Sequence, residues 1–194
     1  MSSLFTVAEI ELARIGLAQV TGDRIDVLVG GLGLGYTAVA ALADPRVQSL
    51  TVVEAIAPVI NWHQRELLPD TAGLATDSRT HLLEGDFFAL IDGPVGFGAG
   101  RPDQYDAILL DIDHTPRHVL HQSHSSFYLR EGLQSMRRHL KPNGVFALWS
   151  DDPPDQEFLG VLFGVFTEAS THVVSFPNPL TGGESANSVY VASR

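Results

Sequence analysis

An apolar run that breaks into alternating glycines leaves a chain few ways to continue, and Asp26 to Tyr36, reading DVLVGGLGLGY, has that form. The β-branched and aliphatic residues favour a buried strand. Gly31, Gly33 and Gly35 then fall where the strand must turn sharply into a helix. Glycine adopts positive φ there and lets a ligand approach the backbone without a Cβ in the way. The small residues TAVAAL continue as a helix, and a second apolar run, LTVVE, closes on Glu54, 19 residues beyond Gly35. An acid at the end of the second strand can accept hydrogen bonds from both hydroxyls of a ribose, so the segment suits an adenosine.

The rest of the chain keeps alternating. Val7, Ile10, Leu12, Ile15 and Leu17 recur at helical spacing and predict an N-terminal helix within residues 1–22. Strands follow at 25–29 and 49–54, with a helix at 36–42 between them and a further helix from Ala57 until Pro69 ends it. A third strand, THLLEGD, closes on Gly85 and Asp86. The segment from Asp92 to Asp103 carries four glycines and two prolines and reads as a loop before the strand YDAILLD. A helix around 127–140, the turn Lys141-Pro142-Asn143-Gly144, the strand VFALWS, a helix over 155–169 and two final strands, HVVSF and SVYVA, complete the pattern. Repeated βα units imply a doubly wound, mostly parallel sheet, here of seven strands with an antiparallel strand at one edge, forming one unit over 1–194. Ligands in such sheets sit at the carboxyl ends of the strands. The loop after Gly30, Glu54, Gly85-Asp86 and the residues from Asp111 are therefore the positions to watch.

Composition narrows the partners. Twelve Lys+Arg against 23 Asp+Glu give a formal charge of -11, which repels a nucleic-acid backbone. Arg137, Arg138 and Lys141 read as complements to a helix C-terminus rather than as a basic patch. With no cysteine, disulfides, thiolate metal sites and thiol nucleophiles are excluded. No run of 18 apolar residues and no signal-peptide pattern occurs, so the expectation is a soluble, unprocessed, cytoplasmic protein that binds no membrane.

The motifs select among nucleotides. Tyr36 stands where a dinucleotide fingerprint needs its third glycine, and no lysine follows the glycines as a phosphate loop requires. No G-x-S-x-G elbow of a hydrolase is present. The remaining pattern resembles the class I S-adenosylmethionine-dependent transferases over nearly the whole chain. Within them VLVGGLGLG, TVVE, EGDFF, YDAILLD, Phe127-Tyr128 and LKPNGVF resemble the spermidine synthase group, the polyamine aminopropyltransferases.

That resemblance implies S-adenosylmethionine or its decarboxylated form as cofactor and a small-molecule substrate, a polyamine. It also implies the roles: Gly31, Gly33 and Gly35 under the cofactor, Glu54 on the ribose, Asp86 near the adenine amino group, and Asp111 facing the reacting end. A carboxylate there can orient an ammonium and take its proton. Leu34 occupies the family's aspartate position in the glycine loop, and the family's D-x-x-D-P becomes Asp111-Ile112-Asp113-His114-Thr115-Pro116. Asp113 is the candidate second acid, on the same side as Asp111 if the segment is extended. The family's small β-rich N-terminal domain is replaced by a helix, whose apolar residues suit a core cap or a homodimer face. Methyl transfer and non-catalytic nucleoside binding stand as the alternatives.

His114, His118, His121 and His124 are spaced to share a face if that segment is helical, as a metal site or as the rim of a substrate pocket. The metal reading is the weaker, because Pro116 and HQSHSS interrupt a helix. Tyr36 can touch a cofactor carboxylate or pack at the helix start. Of Phe87 and Phe88, one flanks an adenine and the other joins the core if the segment is extended. Trp62 and Trp149 read as buried aromatics, Trp149 close to a strand end.

Overall fold

A computed structural model describes residues 6–194 of the chain. The first helix, α1 (Val7–Ala18), precedes β1 (Ile25–Gly30), α2 (Tyr36–Leu42), β2 (Val47–Glu54), α3 (Ala57–Gln64), β3 (Thr80–Glu84) and α4 (Phe87–Asp92). The second half contains β4 (Tyr105–Leu110), α5 (Arg130–Arg137), β5 (Leu140–Ser150), α6 (Gln156–Phe163), β6 (Glu168–Asn178) and β7 (Gly183–Ser193). All seven strands join one sheet in the order β3-β2-β1-β4-β5-β7-β6. Six point the same way, and β7 alone runs antiparallel, between β5 and the outermost strand β6. The N-terminal helix expected within 1–22 occupies Val7–Ala18, and residues 1–5 lie outside the described residues.

Alternation along the strands divides the core between the two faces. Val27, Val29, Leu109, Val145, Ala147, Val189 and Val191 face the side covered by α1 and α2. Leu28, Ile108, Leu110, Phe146, Leu148 and Tyr190 face the other side, where Phe87, Phe88, Phe127 and Phe158 pack. Each such side chain contributes about 1.5–3 kcal/mol when fully buried. The aliphatic face lets a helix come close: a Cβ on Gly16 would lie 2.8 Å from Leu109 and 2.9 Å from Ala147, so α1 rests directly on β4 and β5.

Several boundaries differ from expectation for local reasons. The helix from Ala57 ends at Gln64, five residues before Pro69, because Leu67 N–H donates to the Trp62 carbonyl at 2.9 Å and Glu66 N–H to that of His63 at 3.0 Å. With Glu66 at φ 53° this is a Schellman stop. Beyond Asp86 the chain is helical rather than extended, since one carboxylate oxygen of Asp86 accepts from Phe88 N–H at 2.9 Å and Ala89 N–H at 3.4 Å and so caps α4. The segment before α5 is a 3-10 helix, Gln122–Tyr128, separated from it by extended Leu129. The last helix stops at Phe163, and β6 and β7 take 11 residues each. Lys141 does not serve a helix end: it sits in the bulged start of β5 and its ammonium bridges Asp26 at 2.7 Å and Asp106 at 2.8 Å.

Only the first part of the long hairpin is covered by β5. The pairing of β5 with β7 runs from Val145–Ser193 to Ser150–Ser188, so the turn-side halves of β6 and β7 project past the sheet on the side of its carboxyl ends. No helix among the described residues is long and apolar enough to cross a membrane.

Candidate active site

The glycine loop is held from three sides. Gly31, at φ 94°, could not be another residue, because its Cβ would stand 2.2 Å from the Asp111 carbonyl oxygen as β1 and β4 splay apart. Glu54 accepts from Leu32 N–H at 3.0 Å and Gly33 N–H at 3.4 Å with one oxygen and from Ile56 N–H at 2.9 Å with the other. His63 Nε2 lies 3.0 Å from the Gly33 carbonyl, and Thr71 Oγ1 donates to the Leu34 carbonyl at 2.9 Å. A strand-end acid thus organises the glycine loop.

Beside this loop, at the ends of β1, β4 and β5, opens a cavity of about 630 Å³. That is a size typical of small-molecule sites, which run to roughly 300–1,000 Å³. Its floor is Gly33, Leu34, Gly35, Asp111 and Ile112; its walls are Glu9 from α1, Tyr36, His114, Trp149 and Asp151; its roof is the overhanging hairpin through Phe176, Asn178, Ser185 and Asn187. Among the described residues it has no lysine or arginine in its lining. Three carboxylates and one imidazole are its titratable groups besides the Tyr36 phenol, which donates to Asp70 at 2.9 Å.

The carboxylates differ in their support. Asp111 accepts from Thr37 Oγ1 at 2.8 Å, and burial raises its pKa although that hydrogen bond pulls the other way. Glu9 has one carboxylate oxygen buried without a hydrogen-bond partner among the described residues. Its pKa rises to about 7, through burial first and then the nearby Asp111 charge. Asp151, more exposed, accepts from Asn187 Nδ2 at 2.7 Å.

Of the residues singled out in the sequence, Gly33, Gly35 and Asp111 line the cavity. Gly31 is the hinge beneath it, and Glu54 and the exposed cap Asp86 stand on the β2–β3 side of the loop. Two expectations are corrected. Asp113 turns inward and is 1% exposed, accepting from Leu120 N–H at 2.6 Å and Tyr128 Oη at 2.8 Å, with His124 Nδ1 at 2.9 Å. The chain leaves β4 at Leu110, so the two-residue spacing no longer keeps it on the side of Asp111. Phe87 is 2% exposed in the core against Phe88 and Phe127, because a helix start replaces the extended segment that would have aimed it at a ring.

The histidines disperse for the same kind of reason. His124 is drawn onto Asp113 and stacks on Phe88 at 4.0 Å, His121 caps the 3-10 helix, His118 approaches Asp152 at 3.3 Å, and only His114 reaches the cavity. Among the described residues no group of three His, Cys, Asp or Glu is placed to hold a metal. Trp149 forms part of the cavity wall, whereas Trp62 is 39% exposed on α3 rather than buried. Glu9 is the group that sequence reasoning missed: in an amphipathic helix it reads as a solvent-facing charge.

The strand order with β7 alone reversed is the Rossmann-like fold of the class I S-adenosylmethionine-dependent methyltransferases. In fold the chain is spermidine synthase-like. It is similar to the spermidine synthase from Thermotoga maritima at a TM-score of 0.71 and 19% identity, over 97% of this chain and 59% of that one. A spermidine synthase in complex with the transition state analogue AdoDATO gives 0.72 and 20%, with the same coverage. Human methyltransferase-like protein 13 in complex with SAH gives 0.65 and 20%, over 96% of this chain and 78% of that one. The chain thus spans 59% of the length of these two spermidine synthases. No family model matches the sequence.

Proposed function

We propose that the protein is a transferase that binds a sulfonium nucleoside, decarboxylated S-adenosylmethionine in preference to the intact cofactor, and passes its aminopropyl group to a small amine. The cavity beside the glycine loop supports this most directly, because it offers Glu9, Asp111 and Asp151 and no lysine or arginine. The decarboxylated cofactor ends in an ammonium, which such a lining attracts. The intact cofactor adds a carboxylate, which the same lining repels at short range.

In this reading the loop from Gly31 to Gly35 supports the nucleoside, Glu54 meets the ribose and Asp86 the adenine amino group. Three of the roughly four acceptor positions of Glu54 are filled by backbone N–H groups, and the longest of these contacts, to Gly33 at 3.4 Å, is the one a second ribose hydroxyl would replace. Asp111, held by Thr37, faces the aminopropyl end. Transfer forms a C–N bond and breaks the C–S bond, whose electron pair neutralises the sulfonium. No acid has to assist that leaving group, so positioning of the amine in line supplies much of the acceleration.

Calorimetry with decarboxylated S-adenosylmethionine, intact S-adenosylmethionine and methylthioadenosine tests the reading. The expectation is binding of the first and third, with the first at least about tenfold tighter than the intact form, a difference of about 1.4 kcal/mol, and consumption of a diamine such as putrescine. Preference for the intact cofactor would move the assignment to methyl transfer. Absence of binding by all three would end the nucleoside reading.

A further inference from the structure

Glu9 is placed where neither the strand ends nor the glycine loop can account for it. It projects from the first turn of α1 into the wall of the cavity, and one of its carboxylate oxygens is buried with no hydrogen-bond partner among the described residues. A buried carboxylate oxygen without a donor is costly unless something else supplies one. The Trp149 indole N–H, also in the cavity lining, is likewise buried and has no partner among the described residues. The orientation of α1 is set by Gly16 against β4 and β5, and by Thr37 of α2, whose hydroxyl lies 3.2 Å from the Glu9 carbonyl and 2.8 Å from Asp111. The single Thr37 proton goes to Asp111, the shorter contact, so Thr37 ties the acid at the end of β4 and lies against the first turn of α1 without bonding both at once.

Resting on the amine-transfer reading above, we infer that Glu9 is the acceptor-selecting residue: its carboxylate receives one ammonium group of the small amine and takes the proton that this nitrogen must lose before it can attack. The step balances. An alkylammonium and the Glu9 carboxylate give a free amine and a carboxylic acid. The amine lone pair then forms the C–N bond as the C–S pair returns to sulfur, and the product nitrogen leaves as a secondary ammonium. Asp111 is less suited to the proton, since it already accepts from Thr37 and is enclosed more deeply. Glu9 is matched to it, because burial and then the Asp111 charge push its carboxyl up to about 7. The other titratable groups facing it across the cavity are Tyr36 at the start of α2, His114 and Asp151. None of these three supplies a fixed positive charge; the N-terminal ammonium is the positive charge that acts on Glu9, and it pulls the pKa down against burial and Asp111.

The experiment compares wild type, Glu9→Gln and Glu9→Asp in methylthioadenosine binding by calorimetry and in steady-state kinetics with the diamine from pH 5 to 9. Glu9→Gln should bind the nucleoside within about threefold of wild type, raise the KM for the amine at least about tenfold, and lose the limb of the kcat/KM profile near pH 7. Glu9→Asp should restore that limb in part. Retention of amine KM and of the limb in Glu9→Gln would overturn the role of Glu9 while leaving the transferase reading intact. Failure of wild type to bind methylthioadenosine would instead overturn the reading on which it rests. Loss of nucleoside binding in both variants alike would assign Glu9 to folding of the loop and also overturn the inference.

Discussion

Single acids near the sheet's carboxyl rim have three different fates, and packing decides each. Asp113 is buried among its own donors, Asp111 is bonded to Thr37, and Glu9 keeps one buried oxygen without a partner among the described residues. The consequence for Glu9 is a stability term whose sign can be worked out. Its folded pKa, about 7, exceeds its ordinary value of 4.5, so between those values the native state binds more protons than the unfolded chain. Stability from this group is full below pH 4.5 and is lost as the pH rises to 7. Glu9→Gln should therefore melt higher than wild type at pH 8 and close to it at pH 4.5, as thermal denaturation followed by circular dichroism would measure. An equal shift at both pH values would refute the assignment. The loop glycines and Glu54 were legible because their spacing reflects local backbone need. Glu9 was not, because its neighbours in sequence, Ala8 and Ile10, say nothing about Asp111, 102 residues away.

Elements were legible where hydrophobic period and length agreed, and misjudged where a cap decided the boundary. Strands β1, β2 and β4 each carry a run of at least four consecutive buried residues, and their ends lie within two residues of expectation. The helix α4 was hidden because Asp86 had been read only as a ligand contact, although an acid before a helix also caps it. At the end of α3 the stop depends on Glu66 adopting a left-handed conformation that costs a side-chain residue energy glycine does not pay. Glu66 is exposed, so Glu66→Gly should stabilise the protein by about 0.5–1 kcal/mol in urea denaturation, against the usual penalty for adding a glycine. A loss of stability would show that the side chain, and not the turn, holds the stop.

Across the whole molecule the two halves of the sheet divide the labour. The parallel half, β3-β2-β1-β4, presents the loop, Glu54, Asp86 and Asp111; the other half adds Trp149 and Asp151 from the end of β5 and roofs the cavity with the β6–β7 hairpin. The mostly parallel sheet followed from the alternation of strands and helices, but the roof did not, because nothing in HVVSF or SVYVA signals that their strands run on past β5. Trp149, built into the cavity wall, and Trp62, exposed on a separate helix, are the chain's two indoles. That placement makes the protein its own optical gauge. A bound nucleoside should shift or quench the emission of Trp149 and leave that of Trp62 as a constant background, so Trp149→Phe should abolish the titration signal and Trp62→Phe should sharpen it. A signal that survives in Trp149→Phe would locate the ligand away from this wall.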